Sequence, residues 1–141
     1  MPDRGHLPAH LQIGSGAEDL ARVYPWLDEA IQPCRLPDAL SHAMHVALEE
    51  AVQNVAMHAG EPEIIEVTFL LSERIATLVV ADNGREFDPT AAPVTNPATR
   101  LQQGEPGGLG LTLLRHYCDD IRYERVGERN RLTLRFPLPL V

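Results

Sequence analysis

Along the first third of the chain, the apolar residues change from a spacing of two to a helical spacing. An alternation interrupted by Pro8 predicts a short strand at a sheet edge, with the apolar members Leu7, Ala9, Leu11 and Ile13. Helical spacing follows over residues 14–36, with the apolar members Leu20, Val23, Trp26, Leu27 and Ile31. This stretch predicts a first helix with Ser15 as its N-cap, a kink at Pro25 and an end near Pro33.

A second helix is predicted to be the longest element. It should start just after Leu36, because Pro37 suits a first helical turn, and run until Gly60, with Pro62 beyond it. One stripe of this helix is apolar and should face the core. Its members are Leu40, Met44, Ala47, Leu48, Ala51 and Val55.

The polar residues of the second helix occupy different sides of it. Glu49 and Gln53 fall opposite the apolar stripe, towards solvent, whereas Glu50 and Asn54 fall on its shoulder. Glu50 and Asn54 are one turn apart, so both could reach a single ligand at the edge of the sheet. His58, another turn along, drifts further towards the core side. The alternative is an ordinary amphipathic helix whose border residues bind backbone or water.

Two β-rich runs, residues 64–71 and 75–81, are separated by the three polar residues 72–74 and predict an antiparallel hairpin. The second run is apolar on both faces, so we place it in the centre of the sheet. It ends in Asp82 and a turn that contains Gly84. An aspartate there offers a fixed acceptor, and the glycine lets the backbone pass close to a flat group. The alternative is turn chemistry alone.

Residues 85–106 contain four prolines and few periodic apolar positions, which predicts a long loop or lid. A glycine-rich turn in residues 104–114 then opens a helix, and its backbone N–H groups suit an anion such as phosphate. The turn is neither a Walker loop nor a Rossmann fingerprint. Residues 121–126 and 131–138 predict a final hairpin around a turn at 127–130, with the shared face Leu132, Leu134 and Phe136.

The composition narrows the classes of function. A chain of 141 residues that is 44% hydrophobic suits one globular domain, residues 1–141. Its net charge of −8 and its lack of lysine argue against a broad grip on nucleic acid or anionic lipid. Only Cys34 and Cys118 occur, which is typical of a reducing compartment, and neither a membrane span nor a signal peptide is evident. We therefore expect a cytoplasmic protein.

Metal and serine-nucleophile chemistry have little support. His42 and His45 lie on the outer part of the second helix, and His116 with Cys118 is isolated, which disfavours a structural zinc. The serines sit in cap or turn contexts. Trp26 could belong to a partner-binding stripe, but its spacing favours packing in the core.

Three motifs in this order resemble the GHKL ATPases: EEAVQNVAMHA, DNGREFDP and GGLGLTLLRHYCDDIRYER. Within that superfamily the short chain is most similar to bacterial anti-sigma factor serine kinases, over roughly residues 11–138. The resemblance implies an α+β fold of the Bergerat type, a histidine kinase-like ATPase domain. This fold is a two-layer α/β sandwich, in which helices cover one face of a mixed, mostly antiparallel sheet. The lid would span about residues 85–108.

The resemblance also implies roles for single residues. Glu50 matches the catalytic base, Asn54 the Mg²⁺ ligand, Asp82 the acceptor for the adenine amino group and Gly84 the glycine beneath adenine. The phosphate-binding turn matches Gly107, Gly108, Leu109 and Gly110. His58 occupies a position where the family often has histidine. ATP and Mg²⁺ are the implied cofactors.

Other positions match the family less closely. Thr133 is the nearest candidate for a threonine under the adenine, and Asn130 sits in a turn variant. Glu86 replaces a second glycine, and Pro106 replaces an arginine that some anti-sigma kinases place before the phosphate turn. Two arginines of the lid could replace that arginine in binding the triphosphate, Arg85 and Arg100.

The resemblance leaves three functions open. The first is a serine/threonine protein kinase that phosphorylates an anti-anti-sigma partner and sequesters a sigma factor. The second is a nucleotide-gated binding module with little or no kinase activity, which the departures at Glu86 and Pro106 support. The third is a detached ATPase domain serving a histidine kinase. Resembling proteins dimerise through a sheet face and first strand, so we expect a homodimer. From the charge and the apolar pattern, we expect it to bind neither nucleic acid nor membrane.

Overall fold

The computed structural model describes residues 8–60, 62–91 and 117–139. The α-helices are α1 (Ala17–Leu20), α2 (Val23–Ile31) and α3 (Asp38–His58), with short 3-10 helices at Gln32–Cys34 and Pro89–Ala91. The strands are β1 (Ala9–Ile13), β2 (Ile65–Ser72), β3 (Ile75–Asp82), β4 (Asp120–Val126) and β5 (Arg129–Pro137).

The five strands form one sheet in the order β1-β2-β3-β5-β4. Every pairing among these described strands is antiparallel, whereas the resemblance implied a mixed sheet. Side chains along β3 and β5 alternate between buried and more exposed, and α2 and α3 pack over the buried face. The predicted α+β class, with helices on one face of the sheet, is therefore confirmed.

The order of the strands agrees with their apolar patterns. β3 lies in the centre, between β2 and β5, and β1 lies at an edge, as predicted for each. The β2–β3 hairpin closes with Ser72 paired to Ile75, so Glu73 and Arg74 alone form the turn. Their φ angles are 50° and 68°. Positive φ at both positions is what a two-residue turn requires to match the twist of its strands.

The region predicted as one first helix is divided into α1 and α2. Two residues separate these helices, so the break lies before Pro25 and not at it. Pro25 falls in the first turn of α2, where its missing N–H breaks no helical hydrogen bond. The prediction for Ser15 is wrong: Gly16 takes the N-cap position of α1, and the Ser15 hydroxyl donates to the carbonyl of Pro62.

Helix α3 confirms the predicted long helix. Pro37 is its N-cap residue, and Gly60, with φ of 78°, follows its end. Every member of the predicted apolar stripe is buried: Leu40, Met44, Ala47, Leu48, Ala51 and Val55. Gln53 is exposed, as predicted for the opposite side.

Helix α2 covers a side of α3 that helical spacing alone assigns to solvent. His45 is 5% exposed, and its ring stacks on Tyr24 of α2 with 3.8 Å between the ring centroids. Asp28 of α2 places Oδ1 3.5 Å from His45 Nε2. Burial lowers the pKa of the His45 imidazole. The prediction that His45 faces outward is therefore wrong, whereas His42 is exposed as predicted.

The C-terminal hairpin is tighter than predicted. Gly127 and Glu128 alone join β4 to β5, and Gly127 has φ of 62°. Arg129 and Asn130 are therefore the first residues of β5 and not part of the turn. The predicted shared face of β5 is buried: Leu132, Leu134 and Phe136. The alternation extends back to Asn130, which is 4% exposed.

The hydrophobic core fills the space between the helices and the sheet. Its largest fully buried side chains include Leu27, Met44, Leu48, Leu78 and Phe136. Trp26 is half-buried and packs against this cluster, which supports its packing role. In the three described ranges, no helix has the length and apolar character needed to cross a membrane.

Candidate functional site

Strand β3 ends inside the protein with a carboxylate. Asp82, its last residue, is 1% exposed. Oδ1 of Asp82 accepts hydrogen bonds from the Gly84 backbone N–H at 2.8 Å and from Asn130 Nδ2 at 3.0 Å. Oδ2 is buried and has no hydrogen-bond partner among the described residues. A buried oxygen without a donor costs free energy, so this atom is suited to accept a hydrogen bond from a ligand.

Asp82 forms part of the wall of a narrow cleft between α3 and the sheet. The lining residues are Ala51, Val55, Val80, Asp82, Phe87, Pro89, Tyr123, Asn130 and Leu132. The cleft is nearly closed, with a free volume of about 10 Å³ between these walls. Small-molecule pockets usually measure roughly 300–1,000 Å³, so a planar ring would enter this cleft only if its walls moved apart. Apolar walls with one acceptor favour an aromatic ring that carries an N–H donor.

Two further predicted residues lie on α3 next in sequence to the lining residues, although neither is among the residues that line the cleft. Glu50 and Asn54 immediately precede the lining residues Ala51 and Val55, and both are half-buried. Asn54 donates a hydrogen bond to the Glu50 carboxylate, while Glu50 Oε2 is buried without a hydrogen-bond partner in the described ranges. Burial raises the pKa of the Glu50 carboxyl, and the bond from Asn54 offsets part of that rise. A carboxylate with raised proton affinity suits a proton acceptor.

The turn after Asp82 passes against the end of α3 at Gly84. A Cβ atom on Gly84 would lie 2.2 Å from the carbonyl oxygen of Ala59 and 2.9 Å from its Cβ. The sequence predicted that this glycine lets the backbone pass close to a flat group, whereas the close neighbour in the structure is Ala59, and the role beneath adenine stays a prediction. Any other residue at position 84 would force the turn away from α3.

The residues that begin the predicted lid, 85–87, are here called the lid base, and they contact the last turn of α3. The Arg85 backbone N–H donates to the Ala59 carbonyl at 2.9 Å, and Arg85 Nε donates to the His58 carbonyl at 3.2 Å. Its positive charge thus lies at the negative end of the helix dipole. The His58 ring is exposed, not turned to the core as predicted, and stacks on Phe87 with 5.1 Å between centroids.

Asn130 connects the cleft to the lid base, a role that its assignment to a turn concealed. Its Nδ2 donates to Asp82 Oδ1 at 3.0 Å and to the Arg85 carbonyl at 2.7 Å. Its Oδ1 accepts from Tyr123 Oη, Phe87 N and Arg125 Nη1 at 2.6, 3.1 and 3.1 Å. The alternation of β5 could have found it, because Asn130 lies two residues before Leu132.

Thr133 lies on the opposite face of the sheet. It pairs with Val79 of β3, whereas the buried positions of the two strands beside the cleft are Asp82, Asn130 and Leu132. Because neighbouring residues of a strand point to opposite faces, the sheet separates the Thr133 side chain from the cleft.

The predicted phosphate turn lies outside the described residues, and with it Gly107, Gly108, Leu109 and Gly110. The same is true of the helix predicted to follow that turn, apart from Tyr117, and of most of the lid, including Arg100 and Pro106. The described end of the lid contains the 3-10 helix Pro89–Ala91.

The residues present fit a magnesium ion that is held mainly by phosphate. Within the described ranges, no three His, Cys, Asp or Glu side chains cluster as a metal site. The Asn54 amide nitrogen donates to Glu50, so its amide oxygen is available as a ligand. Magnesium commonly takes one or two protein oxygens and completes its shell with phosphate and water, which matches this donor set.

Comparison with known proteins places the chain among protein kinases and ATPases. The model of the histidine kinase-like ATPase domain family matches residues 14–136. The serine/threonine-protein kinase BtrW of Bordetella bronchiseptica is 35% identical over 127 residues, which cover 88% of this chain and 89% of that protein. The serine-protein kinase RsbW of Bacillus cereus is 33% identical over 88 residues, or 56% of this chain and 53% of that protein.

Solved structures share the fold. The structure of the RsbU and RsbW domains of a Mycobacterium tuberculosis protein superposes with a TM-score of 0.65 at 16% identity, covering 94% of this chain and 32% of that one. The histidine kinase domain of an Erythrobacter litoralis blue-light activated kinase gives a TM-score of 0.56 at 14% identity, covering 89% and 61%. With its sequence matched over most of its length, the chain belongs to the histidine kinase-like ATPase domain family.

Proposed function

We propose that the protein is an ATP-dependent serine/threonine protein kinase that phosphorylates an anti-anti-sigma partner and sequesters a sigma factor. The observation that carries the proposal is the buried Oδ2 of Asp82, which has no hydrogen-bond partner among the described residues and belongs to an apolar cleft beside α3, the helix that carries Glu50 and Asn54. The names of the relatives BtrW and RsbW support the reaction class. The net charge of −8 fits protein partners better than nucleic acid.

Adenine is the ring whose chemistry matches the apolar walls and the acceptor of this cleft. Asp82 Oδ2 accepts a hydrogen bond from the exocyclic amino group, and the apolar side chains of Val55, Val80 and Leu132 contact the ring. A guanine ring would present its O6 acceptor to the same carboxylate, so the site discriminates against it. The base end of the nucleotide is thus recognised by the sheet.

The phosphate end of the nucleotide would lie towards Glu50 and Asn54. Glu50 accepts the proton of the attacking serine or threonine hydroxyl. As the hydroxyl oxygen bonds to the γ-phosphorus, the bond to the bridging oxygen breaks, and ADP leaves with that oxygen. Asn54 would hold Mg²⁺ through its amide oxygen, and the metal supplies charge neutralisation on the phosphates when bound. Gly107, Gly108, Leu109 and Gly110 are the proposed phosphate turn.

A nucleotide-gated binding module is the second candidate, and two features of the sequence favour it. Glu86 stands where the family has a second glycine, and Pro106 stands where some anti-sigma kinases have an arginine. In that case the cleft binds ATP or ADP, and a partner protein binds according to the conformation of the lid, without phosphoryl transfer.

The proposal extends to assembly and location. The outer face of the sheet carries the half-exposed side chains of Thr68, Val79 and Ala81, with the exposed Leu70 and Val126 nearby. This face and the edge strand β1 are the surfaces proposed for a homodimer. Cys34 and Cys118 are free thiols, which fits the reducing cytoplasm as the proposed compartment.

Transfer of labelled phosphate tests the proposed function. The purified protein is incubated with γ-labelled ATP, Mg²⁺ and candidate anti-anti-sigma proteins, and acid-stable label is measured on the partner. The kinase predicts label on a serine or threonine of one partner. Saturable ATP binding with no label on any partner favours the binding module. Acid-labile label on histidine would contradict both.

A further inference from the structure

Asn130 lies where three parts of the molecule meet: the end of β3, the lid base and the edge strand β4. Its side-chain amide has two N–H donors and one oxygen with two lone pairs. Both donors are used, and the oxygen has three donors within hydrogen-bond distance. At 4% exposure the group is almost fully removed from water. A buried amide with every hydrogen-bonding site filled holds a single orientation.

This orientation determines how Asp82 faces the cleft. Asn130 Nδ2 and the Gly84 N–H both donate to Asp82 Oδ1. Two donors on one oxygen fix the plane of the carboxylate and leave Oδ2, which has no hydrogen-bond partner among the described residues, as the acceptor for a ligand. Arg125 strengthens the arrangement, since its Nη1 bonds both Asn130 Oδ1 and the Gly84 carbonyl, at 3.1 and 2.8 Å.

The same amide holds the backbone of the lid base. Asn130 Nδ2 binds the Arg85 carbonyl, and Asn130 Oδ1 binds the Phe87 N–H. A displacement of the lid base would therefore break bonds to the group that orients Asp82. The carboxylate and the lid base share one side chain as their common partner.

We propose that Asn130 is a positioning residue that couples the ligand acceptor of Asp82 to the lid base, so that each stabilises the other. A ligand held by Asp82 then favours the described position of residues 85–87, and an intact lid base strengthens ligand binding by the same factor. The ligand, an adenine nucleotide, rests on the proposed function. The bonds from Asn130 to the lid base are a property of the protein alone.

The substitution Asn130→Asp separates positioning from simple packing, because it keeps the shape and replaces Nδ2 by an oxygen. That oxygen would lie about 3.0 Å from Asp82 Oδ1 and about 2.7 Å from the Arg85 carbonyl oxygen, which loses its donor. Two carboxylates this close do not both ionise readily, and one shared proton restores a donor between them. Among the described residues, the other titratable or charged groups at Asn130 and the lid base are Tyr123, Arg125, Arg85, His58, Glu86 and Asp88. Wild type keeps all of them and is the reference at each pH. The ATP affinity and the Phe87 N–H protection that Asn130→Asp loses should therefore return as the pH falls.

Asn83→Asp is the matched control. Asn83 is exposed, next to Asp82 in the chain, and its Oδ1 accepts from the Ile64 N–H, which an aspartate also accepts. It adds the same charge without entering the bonds of Asn130. We expect its nucleotide affinity and backbone protection to stay within about threefold of the wild-type values at every pH.

The first measurement needs no ligand. Amide hydrogen exchange is recorded by NMR at pH 5.5 and pH 8, and protection factors correct for the intrinsic pH dependence. We expect Asn130→Ala to lower the protection of the Phe87 N–H at least about tenfold, because its acceptor is gone. Asn130→Asp should lower it at pH 8 and recover it at pH 5.5. An unchanged Phe87 protection factor in both variants would overturn the proposal.

The second measurement is calorimetric titration with ATP, each variant compared with wild type at the same pH. Asn130→Ala should bind about 10–100-fold more weakly. Asn130→Asp should be similarly weak at pH 8 and regain at least about fivefold at pH 5.5. Equal weakness at both pH values, or wild-type affinity despite a loosened lid base, contradicts the coupling. If wild type takes up no ATP, the proposed function fails, and the Phe87 result alone decides the role of Asn130.

Discussion

The two carboxylates of the site, Asp82 and Glu50, lie in different surroundings. Asp82 ends the central strand and is held by donors from its own turn and from β5. Glu50 lies on the half-buried shoulder of α3, and its hydrogen-bond donor, Asn54, comes from the same helix. Each keeps one buried oxygen without a hydrogen-bond partner in the part of the chain that the structure describes.

The difference matches two chemical tasks. A group that recognises a ligand needs a fixed direction, and bonds from two separate segments fix Asp82. A group that accepts a proton needs raised proton affinity, and burial raises the pKa of Glu50 without a rigid network around it. If this division is correct, substitutions at the two carboxylates should affect binding and phosphoryl transfer separately.

The largest effect is expected for Glu50→Ala. Loss of a positioned general base typically lowers a rate about 10²–10⁴-fold, so phosphoryl transfer to the partner should fall by that factor. ATP affinity should change less than about threefold, because the adenine ring is held at Asp82. Single-turnover transfer and equilibrium titration measure the two quantities. Undiminished transfer would remove Glu50 from the role of base.

A smaller effect, on binding, is expected for Asp82→Asn. The oxygen of the new amide should still face Gly84 and Asn130, so its NH₂ group would face the cleft and meet the adenine amino group donor to donor. ATP affinity should fall about 100-fold, as for a lost hydrogen bond to a charged group. Affinity for GTP should fall less, because guanine O6 accepts a hydrogen bond. Titration with both nucleotides measures the ratio, and equal losses would contradict the orientation.

Gly84→Ala should affect stability. The added Cβ would overlap the Ala59 carbonyl, so we expect a loss of about 1–3 kcal/mol in the free energy of unfolding. Gly16→Ala is the control without a steric clash, since nothing lies within 4 Å of its added Cβ. Because alanine is a poorer N-cap residue than glycine, it should cost about 0.5–1 kcal/mol. Urea unfolding measures both. Equal stability of the two variants would show that the turn is not packed against α3.

The smallest effect concerns the pH dependence of stability. Glu50 binds its proton more tightly in the folded protein than in the unfolded chain. The protonated group therefore stabilises the fold below the ordinary pKa of 4.5, and this stability is lost as the pH rises through the raised pKa. Glu50→Gln removes this loss and should gain stability relative to wild type between pH 4 and pH 7. The gain should stay under about 1 kcal/mol, because solvent screens a half-buried group. Urea unfolding at both pH values checks it, and the opposite sign contradicts the buried carboxylate.

The sequence predicted those features that depend on periodicity. The buried stripe of α3, the shoulder positions of Glu50 and Asn54, and the central place of β3 follow from spacing within one element, and the structure has each of them. Local spacing was sufficient for these because each depends on residues near in the chain.

The features that depend on packing between elements were not predicted. Asn130 was assigned to a turn, although the alternation of β5 extends to it; its place opposite Asp82 depends on the register between β3 and β5, which are distant in the chain. His45 was placed in solvent because the position of α2 is a tertiary contact. His58 was placed towards the core, whereas Phe87 of the lid base draws its ring to the surface.

The magnesium dependence of ATP affinity, measured in wild type and in Asn54→Ala, tests most directly whether α3 and β3 hold opposite ends of one nucleotide. We expect saturable binding that Mg²⁺ strengthens at least about tenfold in wild type. Asn54→Ala should lose the gain in affinity that Mg²⁺ gives. It should keep the wild-type affinity in EDTA, since Asp82 still holds the adenine ring. No saturable uptake by wild type, or a full magnesium effect in Asn54→Ala, would contradict the account.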